Sequence, residues 1–145
     1  MILFESSEYR ASFYFAAEEY IMRVKRPDEP VLMLWSTSDT VMIGANQITR
    51  AECDEAYAKA SAIEIVRRQS GGGTIYTDKG TLQYSIILPY GPADFRFPHM
   101  SNNDPKVIIQ DWLVRPVTAA LADFGIRASH EGRNDIVIDA LIHIE

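Results

Sequence analysis

The chain holds one cysteine, Cys53, among 145 residues. A lone thiol cannot close an intramolecular disulfide, so nothing in the cysteine pattern points to secretion. A signal peptide is lacking as well, because Met1, Ile2, Leu3 and Phe4 run straight into Glu5 without a basic leading segment. No apolar run approaches the roughly 20 residues that cross a bilayer. The cytoplasm is therefore the expected compartment. Basic excess is also missing: 14 Lys and Arg stand against 20 Asp and Glu, a net charge of −6 with a pI near 5.0. That balance excludes a general nucleic-acid binder and a protein held on an anionic membrane by charge.

What is present suits a soluble globular protein. Hydrophobic residues make up 47% and charged residues 23%, and the length fits one domain with a full core. Regular βαβ alternation is absent, which favours a mixed α/β (α+β) fold whose central sheet is mixed and largely antiparallel, flanked by helices. From Ser12 to Arg26 the spacing of Phe13, Ala16, Ala17, Tyr20, Ile21 and Val24 predicts a helix capped by Ser12 and stopped by Pro27. Glu18 and Glu19 fall on its expected wet face. Val31–Trp35 and Thr40–Gly44 read as a hairpin turned at Ser38 and Asp39. Thr49 and Glu52 match a capping box that opens a helix with Cys53, Ala56, Tyr57 and Ala60 on its apolar stripe. Cys53 reads as a small packing residue. Residues 89 to 105 form a long loop, and Asp104-Pro105 begins a helix that Pro116 kinks or splits. Ile108, Trp112, Val117, Ala120, Leu121 and Phe124 make its buried face. Gly125 ends it. Residues 131 to 134 turn from a short extended piece into a last strand, Asp135–Asp139.

The most informative stretch is Ile65 to Leu88, IVRRQSGGGTIYTDKGTLQYSIIL. A strand ends in Arg67 and Arg68; Ser70, Gly71, Gly72 and Gly73 follow, and Thr74–Thr77 begins a further strand. Leu82, Tyr84, Ile86 and Leu88 alternate with Gln83, Ser85 and Ile87, as on a half-buried antiparallel strand. Three consecutive glycines lose much backbone entropy on folding, a loss that makes sense where a ligand approaches the backbone or φ is positive. Bare amides can form an anion-binding nest, and guanidinium groups bind phosphate in bidentate fashion. The segment therefore suggests a phosphate or carboxylate site, against the plainer alternative of a flexible loop beside two solvated arginines. The ending of a Walker loop is missing, and a strand follows where a dinucleotide fingerprint requires a helix.

FAAEEYI in the first helix, VLMLW, TVMIGANQ, RRQSGGGTIYTDKGTLQYS and GRNDIVID occur in that order. With them the chain, from about Ala16 to Asp139, resembles lipoate–protein ligase A of the biotin/lipoate A/B protein ligase family. The resemblance implies a fold related to class II aminoacyl-tRNA synthetases and biotin ligases. It implies activation of lipoate by ATP, with Mg²⁺, to lipoyl-AMP. Transfer to a lysine of a lipoyl acceptor domain would follow, such as a 2-oxoacid dehydrogenase E2 subunit or the glycine-cleavage carrier protein. Carried over by motif, Arg68, Gly73, Thr74, Ile75 and Tyr76 would bind ATP and the adenylate. Asn134 and Asp135 would sit near the nucleotide, Asp135 with the metal. Ser70, Gly71 and Gly72 would shape the loop around the activated carboxylate, with Trp35 and Gly44 lining the apolar lipoate slot.

The chain also departs from the pattern. Thr77 stands where many members carry histidine. After GRND the family has a strand, a glycine and the catalytic lysine; here Asp139 leads to Ala140, Leu141, Ile142, His143, Ile144 and Glu145, and no lysine follows Lys106. Lys25, Lys59, Lys79 and Lys106 match no catalytic position. His143 reads as packing, since imidazole lacks a lysine's permanent charge. No catalytic residue is therefore assigned, and the polypeptide alone is expected to be a poor or inactive ligase. Its C-terminal end is expected to be divergent, frame-shifted or incomplete, with room for a separate accessory domain. A non-catalytic nucleotide- or lipoate-binding homologue is the alternative. A lipoyl or octanoyl transferase would need its cysteine where this chain has Asn134 and Asp135, and Cys53 lies upstream of the glycines.

Overall fold

The structure, a computed structural model, describes residues 1–88, 110–131 and 135–138. Two compact units make up the chain, residues 1–90 and 91–145. Among the described residues the architecture is mixed α/β, as expected. Three of the five strand pairings are antiparallel.

In the first unit β1 (Ile2–Phe4) lies parallel to β2 (Val31–Trp35), which pairs antiparallel with β6 (Gln83–Ile87). A second ladder has β3 (Thr40–Ile43) in the middle, parallel to β4 (Glu64–Arg67) and antiparallel to β5 (Ile75–Thr77). The predicted β2–β3 hairpin is thus incorrect: the two strands belong to different ladders. The link between them is held by other partners. Ser38 N–H donates to the Tyr9 carbonyl, and the buried Thr37 and Thr77 hydroxyls are 2.8 Å apart.

Helix α1 (Ala11–Tyr20) widens into a π-helical turn over Ile21–Lys25. Arg26 N–H closes it on the Ile21 carbonyl five residues back, and Arg26 then takes a left-handed φ of 44° before Pro27. The N-cap is Arg10, two residues before the expected cap Ser12, and makes no side-chain cap bond. Tyr14, Ile21, Val31, Met33, Trp35, Met42 and Ile87 form the core between α1 and the strands. Trp35 stacks on Tyr14 with centroids 4.6 Å apart and meets Phe15 edge-on, contacts worth about 0.5–1.5 kcal/mol each beyond area burial.

Two further expectations change. The alternation along β6 is reversed: Leu82 and Tyr84 are exposed while Ile87 is buried. The capping-box helix is two short helices, α2 (Thr49–Glu52) and α3 (Glu55–Ala60), broken at Cys53. Ile48 occupies the N-cap of α2 without a side-chain bond, whereas Asp54 caps α3 through the amides of Ala56 and Tyr57. Ala58 is the buried residue of α3, and Tyr57 is exposed.

In the second unit a π-helical turn, Gln110–Val114, leads into α4 (Arg115–Asp123), with Pro116 at the start where its missing N–H costs nothing. The expected kink or split at Pro116 takes the form of a change from π-helical to α-helical winding at Arg115, without a gap between the two segments. Gly125, at φ 77°, closes α4: its N–H reaches the Ala122 carbonyl and that of Ile126 reaches Leu121. Phe124 is 83% exposed, so it leaves the face assigned to it. β7 (Ala128–Glu131) and β8 (Asp135–Ile138) pair antiparallel. The predicted start of the helix at Asp104 lies outside the described residues.

Candidate functional site

Parallel pairing brings the loops together. Ile43 and Arg67 stand opposite each other at the ends of β3 and β4, while antiparallel β5 enters opposite Met42. The segments after β3, after β4 and before β5 therefore share one end of the ladder. Residues 44–48 and 68–74 meet there.

Adjacent side chains at a strand end point to opposite faces, so Arg67 and Arg68 serve different loops. Arg67 donates to the carbonyls of Gly44 (2.8 Å) and Gln47 (2.7 Å), and to the Thr49 hydroxyl (2.9 Å). Arg68 donates to Met42 (3.0 Å), Gly71 (3.2 Å) and Gly73 (2.7 Å). The Ser70 carbonyl accepts from Ala45 N–H at 2.9 Å. Gly44 is pressed against the loop so closely that a Cβ would stand 2.2 Å from the Gly72 carbonyl oxygen. Gly72 needs its positive φ of 97°.

These bonds set the loop's polarity. The carbonyls of Ser70, Gly71 and Gly73 face donors from the chain itself. The amide N–H groups of Gly71, Gly72 and Gly73 have no hydrogen-bond partner among the described residues. A Cβ at Gly71 or Gly73 would meet nothing within 4 Å, so packing within the chain does not explain glycine at either position. Neither arginine forms an ion pair among the described residues, and their positive charge remains uncompensated. Free amides beside the Arg68 guanidinium have the donor chemistry that an anion requires.

Thr74 opens β5. Its hydroxyl lies 3.0 Å from Gln47 Oε1 and 2.8 Å from Glu52 Oε2. The supposed capping box is thereby taken apart, Thr49 bonding Arg67 and Glu52 bonding Thr74, because a guanidinium outcompetes a helix amide for the threonine oxygen. Ile75 and Tyr76 are both exposed. Desolvation, then a hydrogen bond with Asp39, pushes the Tyr76 phenol above its ordinary range.

Trp35 is placed in the core, its indole N–H donating to Ser85 at 3.1 Å. Ser85 in turn donates to Glu18, whose carboxyl is pushed up by burial against the opposing effect of that bond. Glu18 is therefore not on the wet face expected of it. Glu19 holds Gln69, at the entrance to the glycines, at 2.6 Å. Thr77 is a buried partner of Thr37.

Asp135, in the second unit, is exposed at the start of β8 opposite Glu131. Asn134 lies outside the described residues, as do Asp139 to Glu145. Sequence reasoning missed Arg67 as the anchor of residues 44–49, and also Gln47, Glu52 and Glu18. Only Gln47 and Glu52 left a trace, as polar residues just after the glycine that must pack on the loop.

The family model described as the lipoyl protein ligase A/B catalytic domain matches residues 10–141. Lipoate-protein ligase LplJ of Bacillus subtilis is 35% identical over 124 residues, covering 86% of this chain and 34% of that protein. A bi-partite lipoate protein ligase of Thermoplasma acidophilum, solved in a study of the ligase and its E2 lipoyl domain, superposes with a TM-score of 0.76 at 25% identity, covering 95% of this chain and 50% of the other. A lipoate-protein ligase A bound with ATP gives a TM-score of 0.73 at 25% identity over 96% of this chain and 53% of that one. The chain thus spans about a third of the curated relative and about half of each solved structure.

Proposed function

The chain belongs to the lipoyl protein ligase A/B catalytic domain family, and from that premise we propose that it binds ATP and lipoate and holds lipoyl-AMP at the 70–74 loop. In the reaction of the family, a lipoate carboxylate oxygen bonds to the α-phosphorus while pyrophosphate leaves. A lysine amine of the acceptor domain then bonds to the acyl carbon, and AMP leaves with the electron pair. Both steps concentrate negative charge on oxygens. Preorganised amides and guanidinium charge stabilise that charge without rearrangement.

The observation that carries the reading is the loop's polarity: Arg68 holds the Gly71 and Gly73 carbonyls, leaving the amides of Gly71, Gly72 and Gly73 for an anion. Thr74, Ile75 and Tyr76 extend the nucleotide side, and Ser70 and Gly44 brace the loop from behind. The core position of Trp35 supports a role in shaping the wall behind the acyl chain.

The donor set at β7–β8 suits Mg²⁺, which uses one or two carboxylates together with substrate phosphates. Asp135 would hold it opposite Glu131, and the ion would neutralise departing pyrophosphate. Among the described residues no group of three or more His, Cys, Asp or Glu stands together. Lipoyl acceptor domains such as E2 subunits and the glycine-cleavage carrier protein are the partners of this reading, with the cytoplasm as its compartment. Among the described residues no helix is long and apolar enough to cross a membrane.

Within these 145 residues no lysine follows Lys106, so this polypeptide by itself is proposed to bind the adenylate but to make it poorly, with the non-catalytic homologue as the alternative. Calorimetry with lipoyl-AMP and a lipoate-dependent pyrophosphate-release assay test the two halves. Saturable lipoyl-AMP binding with release far below normal ligase turnover is expected. Absence of binding overturns the site, and full turnover overturns the predicted inactivity.

A further inference from the structure

Gln47 ties the two loops together with only part of its side chain. Oε1 accepts from Gly44 N–H at 2.7 Å and lies 3.0 Å from the Thr74 hydroxyl. Its backbone carbonyl accepts from Arg67 at 2.7 Å, and its backbone N–H donates to the Gly44 carbonyl at 3.1 Å. An amide N–H can only donate, so the atom facing Gly44 must be the oxygen, and the carboxamide cannot be flipped. One lone pair of Oε1 is engaged by Gly44 N–H, and the other faces the Thr74 hydroxyl. The remaining capacity is Nε2, with two N–H groups that have no partner among the described residues. A ligand meeting this side chain must therefore offer an acceptor.

The neighbourhood sharpens that requirement. Thr74 has one hydroxyl proton but two acceptors in reach, Gln47 Oε1 and Glu52 Oε2. Without Nε2 this corner would present lone pairs and a carboxylate to an incoming anion, and would repel it. We propose that Gln47 is a further ligand-binding residue, its Nε2 donating to a phosphate or acyl oxygen of the adenylate beside the amides of Gly71, Gly72 and Gly73. The inference rests on the adenylate reading above and adds to it the residue that lets an anion lie next to Glu52.

Gln47→Glu is the informative change. It keeps an oxygen for Gly44 and Thr74 but replaces both spare donors with a charged acceptor. Titration of the whole chain with lipoyl-AMP should show affinity reduced about 10- to 100-fold, the size expected for a lost hydrogen bond to a charged group. The melting temperature should stay within a few degrees of the parent. The double variant Gln47→Glu/Glu52→Gln restores the net charge of the corner without restoring the Gln47 donors: it should still bind more weakly than the parent. In the unmutated chain, the Gln47 side-chain amide signals in a ¹⁵N spectrum should move on addition of lipoyl-AMP. Unchanged affinity in Gln47→Glu, recovery in the double variant, or unmoved amide signals would overturn the inference while leaving the adenylate site standing. No binding by the unmutated chain would overturn both.

Discussion

Gly44 and Gly72 meet backbone to backbone, with room for hydrogen on Gly44 and nothing larger: the added Cβ would lie 2.2 Å from the Gly72 oxygen. The obstacle is main chain, so no rotamer relieves it. Gly44→Ala should cost about 1–3 kcal/mol, the usual range for overpacking, and should displace the glycine loop. Urea denaturation with a calorimetric titration of lipoyl-AMP checks both effects, which should appear together.

Gly71 and Gly73 should behave in the opposite way. A methyl group meets nothing within the chain at either position, and neither has a positive φ. Alanine at a compatible position can stabilise by about 0.4–1 kcal/mol through the unfolded state. Gly71→Ala and Gly73→Ala are therefore predicted to hold or raise the melting temperature while weakening lipoyl-AMP binding. Undiminished affinity would show that no ligand approaches the loop there.

Arg68→Lys tests the loop's internal tie. One ammonium group cannot reproduce the planar fork that reaches the Met42, Gly71 and Gly73 carbonyls. The substitution keeps the charge yet should lower stability by about 1–3 kcal/mol, as carbonyls lose charged donors. Exchange of the Ala45 amide, which the Ser70 carbonyl holds, should accelerate in hydrogen–deuterium measurements.

Glu18 gives a prediction in pH. Burial raises its folded-state pKa above the ordinary 4.5 despite the bond from Ser85. For an acid shifted upward the folded chain binds more protons, so stability is highest below the unfolded value and declines as pH rises through the window between the two values. Glu18→Gln should flatten that decline and raise the melting temperature at neutral pH. A pH series of thermal melts on both forms is the check, and parallel curves would contradict the assignment.

The strand, the arginines and the glycine loop were legible because their signals are local: β-branched runs, a bend without side chains, and a proline at a helix start. Pairing between distant segments was not. Val31–Trp35 and Thr40–Ile43 are neighbours in sequence, but a strand's partner depends on hydrogen bonds reaching 24 to 56 residues away, to β4, β5 and β6. The inward side of β6 was misread for a related reason. Ser85 looked polar and outward, yet Trp35 and Glu18 supply it with buried partners. Thr49 and Glu52 matched a local cap and were claimed by residues from the loop instead. Local composition pointed to an anion site, while three-dimensional competition for the same hydrogen bonds decided which donors were left free.

The tie that orients the glycine loop is made inside the chain, from one guanidinium to three backbone carbonyls. The amides of Gly71, Gly72 and Gly73 are therefore aimed before any ligand arrives. An anion settling on them should lose little free energy to ordering its receptor, because that ordering belongs to folding.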